Sequence, residues 1–247
     1  MNESALGPSR RVILAVGTGI AGWLVAPELG WTQAASAPSK IGIVGSGKIG
    51  GTLGTLWVKA GHQVLFSSRH PDELKDLVGG LGSSARAGTP EEAIAFGDAI
   101  LIAVPYKAYP QLGQDYAKAL SGKIVLDAGN ATVARDGQEL VTEVQQNGIG
   151  LTSAKYFPGA RIVRAFNTLG YTVLAREAHK EGGRIAIPIA GDDKDALAAA
   201  SALVRDAGFD PVVVGGLARA KEFQMGAPGY GQIVTAPELR KKLGPSE

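Results

Sequence analysis

Cysteine is absent from the 247 residues, so disulfides, thiolate metal ligands and a cysteine nucleophile are excluded. An excess of one charge is missing too. With 25 basic and 23 acidic side chains the formal net charge is +2, which gives no basic field to draw a nucleic acid and no acidic tail for a basic partner. Histidine is scarce: His62, His70 and His179 are the three, none in H-E-x-x-H spacing. The chain also lacks a G-x-S-x-G elbow and a P-loop, which sets aside zincins, serine hydrolases of that type and P-loop NTPases. Carboxylate pairs such as Asp72-Glu73 and Asp192-Asp193 read as acids at helix N-termini, complementing the dipole, so no metal site is expected. What is present is a globular composition, 45% apolar and 19% charged, with 35 glycines.

The N-terminal stretch reads as an address. Ser9-Arg10-Arg11-Val12-Ile13-Leu14 opens an apolar run over residues 12–26, and Ala34-Ala35-Ser36-Ala37 follows it, the layout of a signal peptide. Paired arginines and a run diluted by Gly17, Gly19 and Gly22 point to twin-arginine export, hence to a periplasmic or otherwise exported protein. A retained membrane anchor is the alternative. The run is shorter than the roughly 18 to 20 residues needed to span a bilayer, so no stable span is expected after cleavage. The resulting division is a signal over residues 1–37, a nucleotide-binding domain over 38–224 and an irregular C-terminal tail over 225–247.

From Lys40 onward, short Val- and Ile-rich runs alternate with longer amphipathic segments, as strands buried on both faces do. Strands are predicted at residues 41–44, 63–66, 99–104, 124–126, 161–165, 185–190 and 211–214. Helices are predicted at 48–60, 72–78, 91–96, 106–120, 139–146 and 194–207. The alternation indicates an α/β protein built on a doubly wound parallel sheet.

Immediately after the first strand stands Gly45-Ser46-Gly47-Lys48-Ile49-Gly50, a G-x-G-x-x-G turn leading into a helix. In that context Gly45 permits the tight turn, Gly47 admits a pyrophosphate close to the backbone, and Gly50 lets helix and strand pack; the phosphates sit at the positive helix end. The end of the second strand selects the nucleotide. Ser67-Ser68-Arg69 offers hydroxyls and a guanidinium to a 2′-phosphate, where an NAD enzyme would place a carboxylate on the ribose, so NADP is the expected cofactor. A solvated turn would look the same. Val104 and Pro105 end the next long strand at the ligand-binding edge, under the nicotinamide ribose, although Pro105 also suits the first position of a helix. Asn130, closing Asp127-Ala128-Gly129-Asn130, is placed to hydrogen-bond cofactor or substrate, and as a turn residue it needs no function.

These motifs resemble the NADPH-dependent reductases of the deazaflavin coenzyme F(420) and their bacterial relatives. The resemblance covers about residues 41–223 and rests also on Ala103-Val104-Pro105-Tyr106, the segment from Pro158 to Thr168, Ala190-Gly191-Asp192-Asp193 and Gly215-Gly216-Leu217-Ala218-Arg219-Ala220. It implies a Rossmann domain with a small C-terminal extension, NADP held by Ser68 and Arg69, and an acceptor ring over the nicotinamide near Ala165 to Leu169. Phe166, Asn167 and Thr168, with Tyr106 next, are then the substrate-side candidates, and their other reading is a strand end whose Phe is core. Direct hydride transfer to a small-molecule acceptor needs no general acid or base, and none is assigned. The polar 225–231 segment departs from the family's apolar helical tail. Homodimerisation stays open. Two other readings remain: an imine or β-hydroxyacid reductase, which usually adds a long all-α domain, and a non-catalytic dinucleotide-binding module.

Overall fold

Ile41, Ile43 and Val44 are buried on both faces of one strand, which places that strand inside a sheet with helices on either side. The computed structural model describes residues 39–244; the predicted signal lies outside them. The first half runs β1 (Lys40–Val44), α1 (Lys48–Lys59), β2 (Gln63–Ser67), a 3-10 turn (Pro71–Leu74) leading into α2 (Lys75–Gly79), β3 (Ala85–Gly88), α3 (Pro90–Phe96) and β4 (Ala99–Ile102). A 3-10 turn (Tyr106–Ala108) then opens α4 (Tyr109–Leu120), followed by β5 (Ile124–Asp127), α5 (Val133–Asp136), α6 (Gln138–Asn147), α7 (Ile149–Tyr156) and β6 (Arg161–Arg164). The chain ends with α8 (Tyr171–Glu177), β7 (Ala186–Gly191), α9 (Lys194–Asp206), β8 (Asp210–Gly215), a 3-10 stretch (Leu217–Phe223) and α10 (Ala236–Leu243).

The strands form one sheet in the order β3-β2-β1-β4-β5-β6-β7-β8. This is the expected Rossmann-like α/β architecture, with two corrections. The first is an extra edge strand: β3, with sequence ARAG, pairs in parallel with β2, and three small residues around Arg86 give no apolar run to read. The second concerns direction. All neighbours from β3 through β6 are parallel, but β7 pairs antiparallel with β6, and β8 is parallel to β7. The connection through α8 therefore starts and ends at the same edge of the sheet and need not traverse it. Only Val163↔Gly191 and Arg164↔Ala190 are paired, so most of β7 projects past the end of β6, alongside residues 165–168.

Two apolar layers sandwich the sheet. On one side Leu53, Trp57, Phe66, Phe166 and Phe209 pack together, and Trp57 Nε1 donates to Leu203 O at 2.8 Å, tying α1 to α9. On the other, Tyr106, Tyr109, Phe157, Leu217 and Phe223 form the layer. The tail does more than wrap: after an irregular stretch it ends in α10, opened by a Thr235/Glu238 capping box with Pro237 in the first turn. Ala236 and Leu239 bury against Ala186 and Val212.

Candidate nucleotide-binding site

The first component is made of backbone. Gly45 adopts φ +98°, a left-handed conformation that glycine takes without penalty, and a Cβ there would stand 2.5 Å from Val104 Cγ1. Gly50 is held to glycine by contact: a Cβ would lie 2.1 Å from Gly45 O. Gly47 differs from both. As the residue before α1 it has extended geometry, with no side chain capping the helix, and nothing lies within 4 Å of where its Cβ would be. The packing of the fold does not require glycine at position 47, and the space in front of the exposed helix N-terminus is open. Ser46 N is bonded to Ser67 O at 3.0 Å, whereas Ser46 Oγ is buried with no partner. Lys48 is exposed, its ammonium 5.0 Å from the ring centroid of Tyr171, and Ile49 packs partly into the core.

At the end of β2 the three expected contacts separate. Ser67 is fully buried and donates to Ile43 O at 2.6 Å, so its hydroxyl serves the strand pair. Ser68 Oγ accepts from His70 N at 3.0 Å, closing the turn. Arg69 is exposed. Lys75 is drawn to Asp72 at 2.9 Å, which leaves Arg69 as the guanidinium facing solvent at this corner.

The third component lies at the carboxyl ends of β4, β5 and β6. Val104 packs on Gly45, and Pro105 is exposed ahead of the 3-10 turn. Asn130 Nδ2 donates to Asn167 O at 2.7 Å, and Asn167 Nδ2 donates to Phe223 O at 3.1 Å. Ala165 is buried, its amide on Asp127 O at 3.1 Å. Two expected acceptor contacts turn away from this edge. Tyr106 is fully buried, its hydroxyl 2.9 Å from Ser153 Oγ and its ring 4.3 Å from that of Tyr109; the 3-10 turn after Pro105 rolls it under the sheet edge. Phe166 is fully buried between Trp57 and Phe209, with edge-on ring contacts at 5.9 and 6.3 Å. Its backbone is left-handed, φ 61°, which is uncommon for a bulky residue and costs strain.

Beneath this edge is a buried polar network that periodicity did not reveal. Asp127 and Arg164 end β5 and β6 as direct cross-strand neighbours, both fully buried, with Arg164 Nη1 2.6 Å from Asp127 Oδ2. Arg164 Nη2 donates to Gly129 O at 2.6 Å, and Asp127 Oδ1 accepts from Gly129 N at 2.9 Å and from the Tyr109 hydroxyl at 2.5 Å. A Cβ on Gly129 would meet Tyr109 Oη at 2.1 Å. Burial, and then the Asp127 charge, push both tyrosine hydroxyls above their ordinary range. Burial is the largest influence and would lower the Arg164 pKa, but the Asp127 charge, the hydrogen bond to Asp127 and the neighbouring Tyr109 and Tyr106 together outweigh it, so the guanidinium is held charged. The sequence signal, visible only once the strands are paired, was an acid and a base each closing an apolar run.

Beyond Asn130 the chain is braced again. Arg135 donates to Asn130 O, while Asp136 accepts from Lys107 N at 3.0 Å and Thr132 N at 2.8 Å, joining the loops that follow β4 and β5. Beside this bracing lies a largely apolar cavity of about 290 Å³ bounded by Val133, Val141, Val144, Ile149, Gln224 and Met225.

The residues present fit a dinucleotide. The open approach at Gly47 and the partnerless buried atoms Ser46 Oγ, Asn130 Oδ1, Asn167 Oδ1 and Thr168 Oγ1 lie along the carboxyl edge where such sheets bind ligands. Residues 40–131 match the family described as NADP oxidoreductase, coenzyme F420-dependent. Over that segment the chain is similar to this family. The wider chain is similar to metalloreductase STEAP3 of Rattus norvegicus, 34% identical over 185 residues that make up 75% of this chain and 36% of that protein. Metalloreductase STEAP2 of Mus musculus is 26% identical over 74% of this chain and 35% of that protein. The chain thus spans about a third of the length of the curated relatives it matches. Among solved structures, hypothetical protein SMa0349 from Sinorhizobium meliloti superposes with a TM-score of 0.68 at 28% identity, covering 81% of this chain and 96% of that one. Among the described residues no helix is long and apolar enough to cross a membrane.

Proposed function

We propose that this chain is an NADP(H)-binding oxidoreductase that passes hydride between the nicotinamide and a flavin-like, deazaflavin-like or other small acceptor. The observation that carries the reading is the glycine turn, in which positions 45 and 50 are glycine for the fold and position 47 is glycine for an approach the fold leaves open. In this reading the amides opening α1 take the pyrophosphate, Ser68 and Arg69 take the 2′-phosphate, and the ends of β5 and β6 orient the ring. NADPH, when bound, supplies two electrons as hydride. The metalloreductase relatives support a metal ion as an eventual acceptor, but such an ion takes one electron at a time, which favours a flavin-like carrier between them. The apolar cavity bounded by Val133, Val141, Val144 and Ile149 suits a flat ring of that kind. The twin-arginine layout supports folding with cofactor in place before export, with nucleotide then co-purifying from the periplasmic fraction.

Calorimetric titration of residues 38–247 with NADPH and then NADH tests the cofactor assignment. The expected result is micromolar binding of NADPH and roughly 10-fold or weaker binding of NADH, a gap of about 1.4 kcal/mol. Arg69→Glu removes that preference. Absence of binding by both nucleotides refutes the assignment. NADPH oxidation with flavin and ferric acceptors, lost in Arg69→Glu, separates an enzyme from a non-catalytic nucleotide-binding module.

A further inference from the structure

The segment after β5 and the end of the last 3-10 stretch bound the apolar cavity of about 290 Å³, and its lining narrows what can enter. Ala131 and Gln224 both line it. Each is the chain neighbour of a residue tied to Asn167: Asn130 donates to Asn167 O, and Phe223 O accepts from Asn167 Nδ2. The cavity therefore adjoins the carboxyl edge of the sheet, where ligands of such folds bind. Its volume is at the low end of the roughly 300–1,000 Å³ of small-molecule sites, which suits a small fused ring.

Charge, apolar surface and one amide specify that ring. None of the side chains bounding the cavity is ionisable. Arg135 and Asp136, on the same short helix as Val133, are paired with each other at 2.9 Å and spent on Asn130 O and on the amides of Thr132 and Lys107. Lys221 is exposed beside Gly148 and is not part of the lining. An anion entering the cavity would thus lose hydration and meet no counter-charge. Val141, Val144 and Ile149 supply buried apolar wall, while Val133 and Met225 remain 52% and 45% exposed. Those two are apolar surface for an occupant to cover, and a thioether such as that of Met225 packs favourably on aromatic rings. The Gln224 amide has one orientation. Ile149 N can only donate, so Gln224 Oε1 accepts from it at 3.1 Å, and Nε2 is the branch left for an occupant. A donor in an uncharged, apolar setting calls for a carbonyl oxygen.

We propose that this cavity binds a neutral bicyclic quinone, which is the hydride acceptor. A quinone is flat and uncharged, carries carbonyl oxygens at its rim and takes the two electrons of a hydride. The step balances as NADPH + quinone + H⁺ → NADP⁺ + hydroquinone: the hydride leaves a C–H bond of the reduced nicotinamide, and the second hydrogen is a solvent proton. The proposal rests on the nucleotide reading above for its hydride and narrows the acceptor. A phosphorylated flavin shares the flat ring but adds an anionic tail for which the lining holds no partner.

The ring site is tested without nucleotide, by calorimetric titration of residues 38–247 with menadione, 1,4-naphthoquinone-2-sulfonate and FMN. The absence of cysteine removes the thiol addition that quinones undergo. Menadione should bind, and the sulfonate and FMN should bind about 10-fold or more weakly by comparison. Gln224→Glu keeps an oxygen for Ile149 N while removing the donor, and should weaken menadione by about 10-fold with an unchanged melting temperature. Val133→Asp, at a half-exposed position, should weaken it similarly by placing a charge on the lining. Both variants should bind NADPH as wild type does. Absence of menadione binding overturns the proposal, as does sulfonate or FMN affinity equal to that of menadione, or wild-type menadione affinity in both variants. Menadione that binds but is not reduced by NADPH overturns its role as acceptor. A protein that binds menadione but neither NADPH nor NADP⁺ refutes the nucleotide reading and leaves the ring site.

Discussion

The two halves of the site are built on opposite principles. Around β1 and β2 recognition is assigned mainly to backbone, a left-handed glycine and a bare helix N-terminus, joined by one solvent-facing guanidinium. Around β5 and β6 it is assigned to side chains, fixed by a buried ion pair, two buried tyrosines and a strained phenylalanine. A charged pyrophosphate is the same in every dinucleotide and is served well by amides and a dipole. A flat ring that must face an acceptor needs orientation as well as affinity, and orientation comes from rigid surroundings.

The contrast can be broken most severely at Arg164. Replacing it with leucine leaves Asp127 buried without its counter-charge and should remove about 3–5 kcal/mol of stability in urea unfolding, with part recovered by adding Asp127→Asn. An exposed-pair value of less than about 1 kcal/mol would show that the pair is not holding the second half together. Gly50→Ala tests the first half, where the new methyl meets Gly45 O; a loss of about 1–3 kcal/mol is expected in the same experiment. Gly47→Ala sharpens the distinction between folding and binding. Its stability should stay within about 0.5 kcal/mol of wild type while calorimetry shows clearly weaker NADPH binding, and unchanged binding would remove the argument from open space.

The smallest effect is expected at Asp136, with a defined pH dependence. Burial raises its pKa, but hydrogen bonds from the Arg135 side chain and from Thr132 N and Lys107 N outweigh this, so the carboxyl is held below its ordinary 3.8. A folded pKa below the unfolded one contributes stability that is present above about pH 4 and is lost as pH falls through the folded value. Acid unfolding of Asp136→Asn, compared with wild type between pH 5 and 2, should lack that component. An identical pH dependence would release the two loops from this carboxylate.

Legibility in the sequence followed the same division. The glycine turn and the Ser-Ser-Arg corner lie within single stretches and can be read without a structure, and the matched segment 40–131 spans both. Asp127 and Arg164 are 37 positions apart and become neighbours only through strand register. For Tyr106 and Phe166 the resemblance implies an acceptor-side place; whether an aromatic near a strand end looks outward is decided by the local backbone, a 3-10 turn in one case and a left-handed step in the other. Edge strand β3 had no apolar run to announce it, and the reversal at β7 depends on where a connection lands, which hydropathy does not encode.

The bonds from Phe223 and Gly231 back to Asn167 and Thr168 also set an order of events during synthesis. The glycine turn and the corner after β2 are complete by residue 70, whereas Asn167 and Thr168 lack their cover until residues 223–231 have left the ribosome. The sheet end at β5 and β6 is therefore completed only after residues 223–231 have been made.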